Sequence, residues 1–294
     1  MSLGLIQTAC ELGLICSLVV IALFVSYTML GVCDLSTDSC FTLGAVAGGV
    51  VAISGHPLLA VLAALVCGAL SGFITSFLQT RLNIDSLLAG IVVNSGLYSV
   101  NIFLMSGSSL LNMNKTRTIF TMFKELFDNS FYKLILVFVI VLLVVLVLTF
   151  FFKTKLGLAI KATGSNVSMV KNSSIDPKFT TTVGLCLSGA ICALSGCLLA
   201  FSQKSVSIDI GIGMLTIALA SLLIGRTLGD RGSTFKRLCF AVVGSLIFRL
   251  IYMIALRLNM PAYMLKLVSS VIVVVALCLG KVRGVKRVKT RQGY

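Results

Sequence analysis

The chain has 294 residues, of which 58% are hydrophobic and 11% charged, with a mean hydropathy of +1.09 and a formal net charge of +15. A soluble domain averages about a quarter charged residues, so the composition excludes a soluble globular protein and points to a single membrane domain over residues 1–294. The cations gather in a few loops and at the C-terminus, a pattern that sets topology and meets anionic lipid headgroups, and does not suit nucleic-acid binding.

No Lys or Arg precedes Arg81, so the positive n-region of a cleaved signal peptide is missing and the first apolar run is expected to stay in place. Nine apolar runs are candidates for membrane crossing: 12–30, 41–53, 58–78, 86–105, 134–152, 183–201, 212–224, 238–256 and 263–279. An apolar helix of about 20 residues spans a bilayer, and the second and seventh runs are shorter and glycine-rich, as broken or half-buried helices are. The expected fold is an all-α integral membrane bundle of about nine transmembrane helices.

Between the first two runs, Asp34, Ser36, Thr37, Asp38 and Ser39 offer side-chain oxygens suited to helix capping. His56, the only histidine, sits in Ser54-Gly55-His56-Pro57, which reads as a turn. In the fourth run Asn94, Tyr98 and Asn101 fall at i, i+4 and i+7, one helical face, and such a stripe lines a water-filled route or joins two helices. Asp85 opens the same run at a helix N-terminus. Loop 106–133 mixes Lys115, Arg117, Lys124 and Lys133 with Glu125 and Asp128.

The longest polar interval, 153–178, carries Lys153, Lys155, Lys161, Lys171 and Lys178 against Asp176. Its basic excess places it on the cytoplasmic side. Gly164-Ser165-Asn166 can end one helix and cap the next, and 167–172 can form a short helix. Small residues recur at packing intervals: Gly44 and Gly48, Gly68 and Gly72, and Ser188, Cys192 and Gly196. The tetrapeptide Ala-Leu-Ser-Gly occurs at 69–72 and at 193–196, in runs of opposite expected direction.

Arg249 lies thirteen residues beyond Lys236, roughly 20 Å of helix rise, too deep for a flanking charge. Snorkelling, an acidic partner or a cavity would each accommodate it, and Lys266 stands at similar depth. The tail 281–294 has six cations and no acid, so it is expected in the cytoplasm; counting back through nine spans puts the N-terminus outside. The ten cysteines form no C-x-x-C pair and read as small packing residues. No phosphate-binding loop, zinc-protease motif or serine-nucleophile motif is present.

Three pieces resemble the permease subunits of bacterial ABC importers, the group of ribose and branched-chain amino-acid permeases, and within it the tryptophan or aromatic amino-acid permeases. MLGVCDLSTDSCFTLGA (29–45) is similar to that family's D-L-[ST]…F-x-L-G-A lead into the second span. GLAIKATGSN (157–166) is similar to its G-x-A-[IL]-[RK]-A-x-G-x-N coupling loop. GSLIFR (244–249) with Leu265-Lys266-Leu267 is similar to its G-S-x-x-[YF]-R and L-K-L segments. The chain departs from the pattern in lacking an acid shortly before L-K-L and in having Gly225-Arg226 for a G-G pair.

The resemblance implies a type II-like importer permease in the cell membrane, paired with a second permease copy as a homodimer. It implies a cytoplasmic ABC ATPase partner, which binds ATP and Mg, and an extracytoplasmic solute-binding protein. It implies no cofactor and no catalytic or metal-binding residue in this chain. It assigns Lys161, Ala162, Thr163, Gly164, Ser165, Asn166 and Met169 to the ATPase contact. With it, Asn94, Tyr98, Asn101, Arg249 and Lys266 are expected along a translocation pathway for a small solute, an aromatic or other amino acid. The competing class is a secondary transporter or channel with no ATPase, whose mark is an acid-rich relay in mid-span.

Overall fold

The computed structural model describes residues 3–114, 116–126, 131–173, 175–229 and 232–257, with 267, 270–272 and 274. Lys266, the tail 281–294, Lys115, Asp128 and most of the ninth expected span lie outside the described residues.

Among the described residues, seven helices are long and apolar enough to cross a membrane, and one shorter apolar helix joins them. Helix α1 (Leu3–Leu23) runs on through a wide π turn, Phe24–Met29. An irregular stretch, 30–36, leads to α2 (Thr37–Ile53). The expected turn at 54–56, with Gly55 at φ +90°, delivers Pro57 to the first position of α3 (Pro57–Thr80), where its missing N–H costs nothing. Helix α4 (Ser86–Leu104) starts on Asp85, whose carboxylate accepts from Leu87 N at 2.9 Å.

Strand β1 (Leu110–Asn112), helix α5 (Ile119–Leu126) and helix α6 (Tyr132–Phe151) follow. The basic interval folds as two helices, α7 (Lys155–Ser165) and α8 (Val167–Asn172). Helix α9 (Pro177–Gln203) leads to strand β2 (Ser205–Ser207), which pairs antiparallel with β1. Helices α10 (Met214–Leu228) and α11 (Thr234–Arg257) follow.

Helix α9 is the axis of the bundle. On one side Ser188 Oγ donates to Ala22 O and Ser195 Oγ to Ile15 O, so α1 and α9 run antiparallel. On the other side a Cβ added at Gly68 would strike Ala193 and Gly189, one at Gly72 would strike Leu185, and one at Gly44 would strike Ala193. These glycines let the backbones of α2 and α3 touch that of α9, which maximises dispersion contact where hydrophobic exclusion is weak. The two Ala-Leu-Ser-Gly segments therefore belong to antiparallel helices in direct contact.

The two ends of the bundle differ. One end carries α7 and α8 and is called here the elbow end; the other carries the β1–β2 hairpin. Gly164 of the elbow lies against Met29 and Leu30, and Gly49 of α2 lies against Leu111, Met113 and Val206 of the hairpin end. Helices α3, α4 and α6 expose apolar faces, including Leu58, Leu62, Leu70, Phe103 and Phe150, suited to lipid or to another apolar helix.

Replacing Gly68 by Val should lower stability by about 1–3 kcal/mol, because the new side chain meets the Ala193 Cβ and the Gly189 backbone, neither of which can swing aside. Replacing Gly96 by Ala, where an added Cβ meets nothing within 4 Å, should change it by less than about 0.5 kcal/mol. Thermal unfolding of the detergent-solubilised protein separates the two, and equal losses would count against the α3–α9 contact.

Candidate functional site

The short helices α2 and α10 begin at the same depth inside the bundle and run in opposite directions. At 17 and 15 residues they rise about 25 Å and about 22 Å, each short of a hydrocarbon core of about 30 Å, and only together with the 3-10 turn Ile208–Gly211 does α10 reach the 21 residues of a membrane-length span. The first turn of α2 lies beside the middle of α9: Cys40 Sγ donates to Gly189 O and Cys192 Sγ to Thr37 O, both at 3.4 Å. From there α2 climbs to the hairpin. Helix α10 descends to the elbow end, where Leu222 and Arg226 share a small cleft with Phe24 and Thr28.

One side chain joins the two starts. Asp38 accepts from Gly213 N at 3.0 Å through Oδ2 and from Leu215 N at 2.7 Å through Oδ1. It lies in the first turn of α2 yet caps α10, where Gly213 takes a left-handed φ of +86°. A carboxylate there satisfies two first-turn amides that have no partner within the helix and complements the positive end of the helix. The expectation of caps in 34–39 thus holds in part, since the helix that benefits is distant in sequence.

The chain reaches this point by a tight turn. Asp34 Oδ1 accepts from Ser36 N at 2.9 Å and from Ser36 Oγ at 2.6 Å, Thr37 Oγ1 donates to Asp34 O at 2.7 Å, and Ser36 Oγ lies 3.3 Å from Thr75 Oγ1 of α3. Residues 30–36 thereby cover the elbow-end half of the depth that α2 leaves open, and the buried side chains of Asp34 and Ser36 find their partners within the protein. The shortness of α2 does not change the direction of the chain: α1 ends at the elbow and α2 ends at the hairpin.

A cavity of about 380 Å³ opens beside these helix starts, lined by Asp38, Ser39, Thr42, Asn94, Ser95, Tyr98, Asn101, Ile208 and Ile212. The expected stripe on α4 is brought together here. Asn94 Oδ1 accepts from Ser39 N at 3.1 Å, Ser39 Oγ donates to Asn94 O at 2.9 Å, and Asn101 Nδ2 donates to Ser39 O at 3.2 Å. The stripe therefore does both things such a stripe can do, holding α4 to α2 and lining polar space. Asp38, Ser39, Thr42 and Ser95 are lining residues that the sequence reading did not assign to it. The signal available was the i, i+4 spacing of Asp38 and Thr42 on one helical face.

Arg249 is elsewhere. It packs on α1, with Nη2 2.9 Å from Cys16 Sγ, its guanidinium over the Tyr252 ring at 5.6 Å, and Gly13 beside its stem. Among the described residues no carboxylate is within ion-pairing reach of it, and it does not line the cavity. No group of three or more potential metal ligands occurs among the described residues.

The elbow is clamped to the bundle and open to its surroundings. Thr154 caps α7 by accepting from Gly157 N at 3.3 Å, and Asn166 caps α8 by accepting from Met169 N at 3.1 Å. Thr163 is buried and its Oγ1 lies 2.8 Å from Thr180 Oγ1 of α9. A Cβ at Gly164 would strike Met29 O. Lys161, Ser165, Asn166 and Met169 face outward, Ala162 is half-buried, and Met169 is 66% exposed. Lys153, Lys155, Lys171 and Lys178 are exposed as well.

Residues 6–277 match the family described as the permease component of the branched-chain amino acid transport system. The chain belongs to this family. It is 31% identical over 269 residues, 91% of its length and 88% of the relative's, to a tyrosine transport system permease protein of Clostridioides difficile (strain R20291). It is 27% identical over 283 residues to uncharacterized protein RP368 of Rickettsia prowazekii (strain Madrid E), covering 94% of this chain and 97% of that one. It is 26% identical over 215 residues to a probable branched-chain amino acid transport permease protein, LivH, of Methanocaldococcus jannaschii, covering 71% of this chain and 62% of that one. The fold is similar to PsaBC from Streptococcus pneumoniae in complex with Fab, with a TM-score of 0.53 at 16% identity over 92% of this chain and 89% of that one. The protein is thus a multi-pass membrane permease component of the ABC-type amino-acid transport class.

Replacing Asp38 by Ala should release the amides of Gly213 and Leu215 and destabilise the fold by about 1–3 kcal/mol. Hydrogen exchange of the peptide spanning 208–218 should rise above that of the unchanged protein while the α3–α9 peptides stay protected. Unchanged exchange at 213–215 would remove Asp38 as the anchor of α10.

Proposed function

We propose that the chain is the membrane-spanning permease of an ATP-driven importer that moves an amino acid, preferentially an aromatic one. In this reading the elbow end faces the cytoplasm and the hairpin end and N-terminus face outside. A solute-binding protein delivers the solute at the hairpin end, a second copy of the permease completes the pathway, and a cytoplasmic ATPase grips the elbow. ATP and Mg bind in that partner, and this chain performs no hydrolysis.

The observation that carries the reading is the elbow itself, outward-facing through Lys161, Asn166 and Met169 and pinned inward through Thr163 and Gly164 to the ends of α9 and α1. A partner that moves such an elbow moves the helices behind it. Helices α1 and α9 flank the start of α2, so the displacement reaches the cavity lined by Asn94, Tyr98 and Asn101. Alternating access then needs only a bundle with two arrangements whose balance the partner biases. The choice of an aromatic amino acid follows the tyrosine transport permease among the relatives. Among the described residues the two carboxylates beside the start of α2 are both engaged locally, Asp38 through both oxygens by backbone amides of α10 and Asp34 by Ser36, which favours anchoring roles over the proton relay of a secondary transporter.

The test belongs at Met169 and Lys161 because substitution of Gly164 would disturb the fold as well as the surface. Replacing Met169 or Lys161 by Glu should leave the melting profile unchanged and cut ATP-driven tyrosine uptake about tenfold or more, with loss of the co-purifying ATPase. Full uptake in both variants would refute the coupling reading. Uptake of leucine in preference to tyrosine would refute the aromatic assignment alone.

A further inference from the structure

Among the described residues Asp38 is the one charged side chain lining the cavity, and the neighbouring amides have a fixed polarity. Either orientation of an Asn amide looks alike by shape, and its bonds decide which atom is which. The backbone of Ser39 decides it twice. Its N–H takes Asn94 Oδ1, which leaves Asn94 Nδ2 unused, and its carbonyl takes Asn101 Nδ2, which leaves Asn101 Oδ1. Asn101 is 1% exposed, and its Oδ1 is buried with no hydrogen-bond partner. A buried acceptor without a donor is costly and marks a place where a ligand or a water completes the site. Asp38 still has acceptor capacity, since a carboxylate offers about four lone-pair sites and two backbone amides use two of them.

The arrangement therefore presents a negative charge, a neutral acceptor in Asn101 Oδ1 and a neutral donor in Asn94 Nδ2, and no cation among the described residues, to whatever occupies about 380 Å³. A carboxylate would meet Asp38 without a compensating charge. An ammonium would exchange its water for a fixed anion and an empty acceptor, with the half-exposed Tyr98 ring available beside it. We propose that this cavity recognises a primary ammonium group of the transported solute, Asp38 supplying the charge and Asn101 Oδ1 the neutral acceptor. The proposal rests on the permease reading above and deepens it. The amino end of the solute is what the membrane domain inspects, and Arg249 takes no part.

The test probes the cavity without requiring transport. Ser95, an exposed lining residue, is replaced by Cys in the assembled transporter in membranes, with Ser108→Cys as an exposed reference outside the cavity. Rates of modification by a cationic trimethylammonium-ethyl and an anionic sulfonatoethyl methanethiosulfonate are read by mass spectrometry of the peptide carrying the new cysteine. After normalisation to the reference, the cationic reagent should be favoured about tenfold at Ser95→Cys, and Asp38→Asn should abolish the preference. Phenethylamine should protect Ser95→Cys in the presence of native Asp38, and 2-phenylethanol at equal concentration should not. That arm stands even where Asp38→Asn fails to assemble. No preference for the cation, no labelling at all, or equal protection by amine and alcohol would overturn the proposal. Tyrosine uptake by the unmodified complex is measured alongside: uptake without cation preference refutes ammonium recognition and leaves the importer reading intact, and cation preference without uptake does the reverse.

Discussion

Backbone contact along α9 is the constraint from which the rest of the bundle follows. In lipid, apolar side chains gain little by turning away from their surroundings, so helices associate through close packing and through hydrogen bonds made inside the protein. Gly44, Gly68, Gly72, Gly189 and Gly196 bring three helix axes close enough for carbonyls and Cα atoms to touch. From α9, Ser188 and Ser195 add bonds to carbonyls of α1, and Cys192 adds one to a carbonyl of α2. With α9 so enclosed, α1 has one available groove, and α2 has its starting depth set by Cys40 and Cys192.

That starting depth creates the polar centre. A helix that begins inside the bundle has free amides, and so does α10, which begins beside it. Buried amides need acceptors. Asp38 serves α10, while the Asp34–Ser36 turn satisfies the chain that leads to α2. Polar side chains of α4 close the remaining side through Ser39. Interrupted helices thus place main-chain and side-chain polarity at mid-depth with few charged residues, and the cavity forms where the interruption leaves space.

The elbow lies at the other end of the same mechanical unit. Thr163 and Gly164 tie it to α9 and to the π turn of α1, and the irregular stretch 30–36 begins where that turn ends. The segment between elbow and cavity therefore consists of a rigid helix, α9, and a non-helical strap. A strap held by short-range side-chain bonds can change its path without unfolding a helix, whereas α9 can move only as a body.

Apolar run length, loop charge and capping residues made much of this legible from the amino-acid order. The sequence by itself determined the membrane class, the positions of eight of the runs, the turn at 54–56, the helix break at 164–166 with α8 at 167–172, the small-residue faces and the shared face of Asn94, Tyr98 and Asn101, because each depends on neighbours within a turn or two. Tertiary structure alone decided that α2 and α10 start at one depth, that Asp38 caps a helix 175 residues away, that Ser39 orients two amides of α4, and that Arg249 packs on α1 away from the cavity. Those outcomes depend on which segments meet across the bundle, and periodicity and composition carry no record of the partner a buried polar group finds.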